Sequence, residues 1–142
     1  MERGGMNSKF TRRSALLLGF VGAASWSDGY VTARAQDVDV TKLTDVQLAA
    51  MLAQKDFFLV NVHIPYEGEI EDTDAFIAYD TIAENLDKLP PDKNAKIVVY
   101  CRSGGMSAIA ARELIRLGFT QVSDLVGGMI NWEKSGYKII TK

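Results

Sequence analysis

The 142-residue chain has one cysteine, Cys101, and one histidine, His63. A single cysteine cannot form an internal disulfide, and one cysteine with one histidine provides too few ligands for a zinc site. The apolar run 15–24 is also short, because a helix that spans a bilayer needs about 20 residues. The lack of a second cysteine and of further metal ligands leaves Cys101 as either a buried apolar residue or a reactive thiol. We expect neither a metal nor a cofactor.

The N-terminal residues 1–35 have the layout of an export signal. A basic segment with Arg12 and Arg13 precedes the apolar run 15–24, and the sequence Ala-Arg-Ala at 33–35 offers small residues for cleavage. The paired arginines resemble a twin-arginine signal. We therefore predict a signal peptide, export to the periplasm or the bacterial cell envelope, and no membrane span after cleavage. The alternative is a disordered or membrane-surface N-terminus.

The charge of the remaining residues 36–142 is acidic. They hold 11 of the 16 basic and 16 of the 18 acidic side chains, which gives a net charge of −5. An acidic surface argues against nucleic acid or an anionic membrane as a partner. The length suits one domain, and nothing in the sequence specifies an oligomeric state.

Helical and strand-like segments alternate along this domain. Capping-box patterns begin at Thr44 and Thr81, and short continuous apolar runs are typical of buried strands. We predict helices at 45–54, 81–88, 106–117 and 129–134, and strands at 57–62, 75–77, 96–100, 122–126 and 137–141. This alternation predicts an α/β fold with a mainly parallel sheet.

Cys101 follows the predicted strand 96–100 and precedes a glycine-rich turn and a helix. A sulfur at a helix start meets unpaired amides and the positive end of the helix dipole, which favour a thiolate and bind anions. Ligands of parallel sheets bind beyond the carboxyl ends of the strands. Asn61 and His63 follow the strand 57–62, so we expect them at the same edge of the sheet.

Two motifs together identify a family resemblance. Residues 100–107 read Tyr-Cys-Arg-Ser-Gly-Gly-Met-Ser, and residues 125–132 contain the pattern Gly-Gly-x-x-x-Trp. The pair resembles a rhodanese (thiosulfate sulfurtransferase-like) domain, here at 36–142. The resemblance implies a sheet of about five strands flanked by helices on both faces. It also implies that Cys101 is the nucleophile that takes a sulfane sulfur and holds it as a persulfide.

By the same resemblance, the residues after Cys101 form the loop that surrounds the sulfur. The predicted substrate-binding residues are Arg102, Ser103, Gly104, Gly105, Met106, Ser107 and His63. Some have an alternative interpretation from chemistry alone. Ser107 either bonds the sulfur or caps the helix, and Arg102 either attracts an anionic donor or is only solvated. Met106 and His63 either line the pocket or are structural, whereas Trp132 is expected to pack in the core.

The same loop also argues against phosphoryl chemistry. Phosphatases and arsenate reductases of this fold place an oxyanion-gripping arginine six positions after the cysteine, where this chain has Ser107. Met106 stands where rhodanese loops commonly have a basic residue. The usual Asp-x-Arg is Asn-Val-His at 61–63, and the acidic stretch 67–74 replaces the usual Gly-His-Ile-Pro-Gly. We therefore expect thiosulfate to bind weakly.

Function follows from these features as two main hypotheses, beside a third in which the chain is a structural domain with an inert cysteine. The first is a sulfurtransferase that moves sulfane sulfur from thiosulfate or a persulfide, through a Cys101 persulfide, to a thiol, to cyanide or to a partner protein thiol. The second is a carrier or binding module that holds one sulfur without turnover.

Overall fold

The computed structural model describes residues 38–142 of the chain. The predicted export signal at 1–35 lies outside the described residues. Within 38–142, no helix is both long enough and apolar enough to cross a membrane.

Strands and helices alternate along residues 38–142. They are β1 (Thr41–Leu43), α1 (Asp45–Leu52), β2 (Phe58–Asn61), β3 (Glu69–Ile70), β4 (Ala75–Phe76), a 3₁₀ helix (Ala83–Lys88), β5 (Lys96–Tyr100), α2 (Gly105–Arg116), β6 (Gln121–Leu125), α3 (Gly128–Lys134) and β7 (Ile139–Ile140). Every predicted helix and strand is present. Their ends shift by at most two residues.

The main sheet is parallel and has the strand order β1-β6-β5-β2-β4. Its central strand β5 is buried from Ile97 to Tyr100, because layers of helix cover both faces. The predicted α/β fold is thus confirmed. Sequence patterns do not predict strand β1, since Thr41 and Lys42 are exposed at the sheet edge and only Leu43 is buried. Strands β3 and β7 form a separate antiparallel pair.

The two faces of the main sheet carry separate cores. Side chains of Ile97, Val99 and Cys101 pack on one face with α2 and with Ile82 and Leu89, which flank the 3₁₀ helix. Val98 and Tyr100 pack with α1 and α3 on the other face. Because side chains alternate along a strand, the neighbours Tyr100 and Cys101 point to opposite faces.

The two predicted capping boxes have different outcomes. At the start of α1, the hydroxyl of Thr44 accepts the Gln47 N–H at 3.2 Å, and the Gln47 side chain accepts the Thr44 N–H at 2.9 Å. The capping box at Thr81 is wrong. The helix begins at Ala83 as a 3₁₀ helix without a side-chain cap, because the Glu84 N–H donates to the Thr81 carbonyl at 3.2 Å and the Thr81 hydroxyl donates to the Ala78 carbonyl at 3.3 Å.

Candidate active site at the end of the central strand

Cys101 lies at the carboxyl end of β5, and residues 101–107 form what we call the cysteine loop. The Cys101 side chain is only 1% exposed. Gly104 is the residue that turns the chain into α2, with a φ of 104° that disfavours any residue with a Cβ. The loop therefore wraps the sulfur closely and places it at the N-terminus of a 12-residue helix.

Two hydrogen bonds connect the sulfur to its own loop, and a third fixes the Ser107 hydroxyl. The Gly104 N–H donates to Cys101 Sγ at 3.0 Å. The thiol donates to the Ser107 hydroxyl at 3.5 Å, and this hydroxyl donates to the Gly104 carbonyl at 3.2 Å. Ser107 is fully buried, so water does not compete for its hydroxyl. The amide and the dipole of α2 both place partial positive charge next to the sulfur.

The second half of the sequence signature fixes the back of this loop. At the start of α3, the Met129 N–H donates to the Cys101 carbonyl at 2.9 Å and the Ile130 N–H to the Arg102 carbonyl at 3.0 Å. A Cβ at Gly128 would collide with both of these carbonyl groups. Gly128 is therefore glycine because α3 must approach the cysteine loop. The sequence shows this motif without showing its role.

His63 follows β2 and is buried, with 8% of its surface exposed. Its backbone N–H donates to the Asn61 side chain at 3.0 Å, and the Asn61 amide donates to the Gly68 carbonyl at 2.9 Å. The ring Nε2 contacts the carboxylate of Glu67. The structure thus places His63 against Glu67, and it gives Asn61 a structural role in holding this turn.

Arg102 is half-exposed, and its Nη1 lies 3.6 Å from the Glu67 carboxylate. We call the side chains of His63, Glu67 and Arg102 the charged rim. Glu67 therefore links the predicted residue His63 to the cysteine loop. Sequence reasoning places Glu67 in the acidic stretch 67–74 but does not single it out, because nothing in the sequence relates position 67 to position 102.

The remaining predicted loop residues occupy different environments. Ser103 and Gly105 are exposed, so they are accessible at the mouth of the loop. Met106 is half-buried and packs against the core under α2, as expected of the first apolar residue of a helix. Trp132 is 4% exposed and stacks on Tyr137, which confirms its core role.

Comparison with known proteins finds a matching family for the sequence and similar solved structures for the fold. Residues 45–135 match the Rhodanese-like domain. A protein of Allochromatium vinosum named sulfurtransferase is 31% identical over 105 residues, which cover 71% of this chain and 95% of that protein. Among solved structures, a rhodanese-related protein from Thermoplasma volcanium has a TM-score of 0.62 at 25% identity, over 72% of this chain and 99% of that one. A rhodanese-like domain protein from Staphylococcus aureus has a TM-score of 0.61 at 27% identity, over 72% of this chain and 100% of that one.

Proposed function

The chain belongs to the rhodanese-like domain family, and we propose that it transfers sulfane sulfur through a persulfide on Cys101. A relative that this chain covers almost completely is named a sulfurtransferase, which supports a function of sulfurtransferase type. One observation carries the proposal further: the buried Cys101 sulfur accepts the Gly104 N–H at the start of α2. A thiolate and the terminal sulfur of a persulfide both gain from these donors.

In the first half-reaction, the Cys101 thiolate attacks the outer sulfur of a donor. With thiosulfate, the new S–S bond forms at Cys101 as the donor S–S bond breaks, and sulfite leaves with the bonding electron pair. With an organic hydropersulfide, the leaving group is the thiolate of that compound. The charge on the reacting sulfurs is conserved, so the loop amide and the helix dipole stabilise it throughout without a general base.

In the second half-reaction, an acceptor removes the outer sulfur. A thiolate or cyanide attacks the terminal sulfur of the Cys101 persulfide, forms a hydropersulfide or thiocyanate, and releases the Cys101 thiolate. The cysteine loop therefore surrounds the same charged group, the Cys101 thiolate, at the end of the cycle as at the beginning. This symmetry suits a preorganised backbone, which needs no reorganisation between the two steps.

The loop residues also argue against the phosphatase alternative. An oxyanion-gripping guanidinium would be required at position 107, where the Ser107 hydroxyl is buried between Cys101 and the Gly104 carbonyl. Arg102 is the residue directly after the cysteine, and its side chain pairs with Glu67. The loop therefore suits a sulfur atom better than a bound phosphate.

A carrier without turnover is the second candidate. The observation that favours it is the pairing of Arg102 with Glu67, since this pair reduces the positive charge available to a thiosulfate dianion. Met106 in its half-buried position adds none. In this case the chain holds one sulfur until a specific acceptor, such as a partner protein thiol, removes it.

Mass spectrometry and steady-state turnover test both candidates. We expect a gain of one sulfur atom on the peptide containing Cys101 after exposure to thiosulfate or to a hydropersulfide, and no gain in Cys101→Ser. Repeated thiocyanate formation from thiosulfate and cyanide supports the enzyme, whereas one sulfur transferred per chain supports the carrier. Sulfur gained by Cys101→Ser would contradict the mechanism. Ser123→Ala, which changes a side chain of β6 without a hydrogen bond among the described residues, is the control.

A further inference from the structure

One carboxylate oxygen of Glu67 lies next to both of the other side chains of the charged rim. Glu67 Oε2 contacts His63 Nε2 and lies 3.6 Å from Arg102 Nη1. The side chains of Glu67 and Arg102 are 41% and 50% exposed, while that of His63 is 10% exposed. The buried histidine thus orients a carboxylate that reaches out to the arginine. Because His63 already orders Glu67, the pair with Arg102 loses less side-chain entropy than an isolated surface pair.

The other carboxylates of the acidic stretch 67–74 have different partners or remain apart from the loop. Glu69 is buried and pairs with Lys142 at 2.6 Å. Asp74 pairs with Lys55 at 2.5 Å and accepts the Leu59 N–H at 2.7 Å. Within residues 38–142, Glu67 is thus the acid of this stretch that pairs with the cysteine loop. Its partner Arg102 is the one basic residue in the loop sequence 101–107.

We propose that Glu67 determines the donor specificity of the site: its carboxylate occupies the Arg102 guanidinium and so disfavours dianionic donors relative to sulfane sulfur carried on an organic thiol. This inference rests on the proposed function. A thiosulfate dianion must compete with Glu67 for the same guanidinium. A small hydropersulfide carries at most a single charge, and it needs no cation to deliver its outer sulfur to Cys101.

The chemistry of the favoured donor balances without any other reactant. The Cys101 thiolate attacks the outer sulfur of RS–SH, the donor S–S bond breaks, and RS⁻ leaves with the bonding pair. The proton remains on the transferred sulfur or passes to RS⁻. Glu67 takes no part in these bonds. It acts through Arg102, so its effect should appear in KM for anionic donors rather than in kcat.

The central test replaces Glu67 with glutamine, which removes the charge and keeps an oxygen that can contact His63. Glu71→Gln makes the same change at an exposed position of the same stretch and serves as the matched control. The first readout needs no sulfur transfer: we measure how far sulfate, at constant ionic strength, slows the alkylation of Cys101 by uncharged iodoacetamide. We expect the sulfate concentration for half-protection to fall about fivefold in Glu67→Gln and to stay unchanged in Glu71→Gln.

The second readout compares two donors in steady state. In Glu67→Gln, we expect KM for thiosulfate to fall about fivefold with kcat unchanged. We expect KM for the hydropersulfide of 2-mercaptoethanol to stay constant. In an Arg102→Gln background, Glu67→Gln should have no effect on either readout, because the two residues then form no pair.

Three results would overturn the proposal: unchanged sulfate protection in Glu67→Gln, an equal change in Glu71→Gln, or an effect that persists in the Arg102→Gln background. Failure of the proposed function looks different. If neither donor loads Cys101 while sulfate protection follows the expected pattern, sulfur transfer is wrong and the control of dianions by Glu67 is supported.

Discussion

The cysteine loop and the charged rim lie side by side but are held in different ways. Backbone groups fix the loop, through the N–H groups of Gly104, Met129 and Ile130. Side chains form the rim, where Glu67 and Arg102 are both half-exposed. A backbone cradle tolerates most changes unless an added atom intrudes, whereas a side-chain pair changes with one substitution. We therefore propose that the loop determines the chemistry and that the rim adjusts which donor reaches it.

The largest effect on this comparison is expected from one carbon atom added at Gly128, where α3 contacts the cysteine loop. Gly128 has a φ of 54°, and a Cβ there would collide with the carbonyl groups of Cys101 and Arg102. For Gly128→Ala we expect the free energy of unfolding to fall by about 3 kcal/mol, from roughly 1 kcal/mol of backbone strain and roughly 2 of overpacking. Sulfur loading should be lost, because α3 can no longer hold the loop. Chemical denaturation and mass spectrometry measure the two effects.

Gly118→Ala is the matched control for that variant. Gly118 has a φ of 97°, but an added Cβ would meet no atom within 4 Å, so alanine adds strain without a collision. We expect a loss of about 1 kcal/mol and normal sulfur loading in the folded protein. Equal effects of the two substitutions would show that the contact between α3 and the loop does not matter.

The same contrast explains what the sequence can predict. The cysteine loop is encoded locally, by Cys101 at the end of an apolar run and by glycines where the chain must turn, so sequence patterns locate it. They also locate the second glycine pair, at 127–128. The purpose of this pair is not evident from them, because only the fold brings α3 to the carbonyl groups of Cys101 and Arg102.

The rim depends on contacts that sequence patterns do not contain. In the sequence Glu67 is one acid among several, and its role requires knowing that Glu69 pairs with Lys142 and Asp74 with Lys55. Strand β1 escapes prediction for a related reason, since it owes its place to pairing with β6 rather than to an apolar run. Local patterns thus predict most of the helices and strands and the place of Cys101 directly after β5. Long-range pairing decides the rest.

A substitution at Tyr100, which precedes Cys101 and faces the other side of the sheet, sharpens the comparison. Tyr100 is fully buried, its Oη accepts the Ile70 N–H at 3.0 Å, and it lies 2.8 Å from the Thr73 hydroxyl. Burial raises the pKa of Tyr100, so the hydroxyl stays protonated at neutral pH. Tyr100→Phe leaves the Ile70 N–H without this partner, and we expect the free energy of unfolding to fall by about 2 kcal/mol.

The rate of sulfur uptake by folded Tyr100→Phe should equal that of the wild type, because its side chain faces away from α2. Tyr79→Phe is the control, since the half-buried Tyr79 hydroxyl makes no hydrogen bond to another described residue. Its stability should change by less than about 0.5 kcal/mol. Denaturation curves measure the free energies of unfolding, and the rate of persulfide formation on Cys101 measures sulfur uptake. A slower rate in Tyr100→Phe alone would mean that the two faces of β5 are coupled.

The smallest expected effect comes from replacing Ser107, whose hydroxyl lies next to the Cys101 sulfur within the cysteine loop. The Ser107 hydroxyl lies 3.5 Å from Cys101 Sγ and donates to the Gly104 carbonyl at 3.2 Å. When the sulfur is charged, this hydroxyl can rotate and donate to it instead. Because the contact is long and the Gly104 amide remains, we expect Ser107→Ala to slow persulfide formation about tenfold, which corresponds to about 1.4 kcal/mol. Stopped-flow alkylation and sulfur-loading rates, with Ser123→Ala as control, measure this. A loss as complete as that of Cys101→Ser would mean that a side chain, and not the backbone, supports the sulfur.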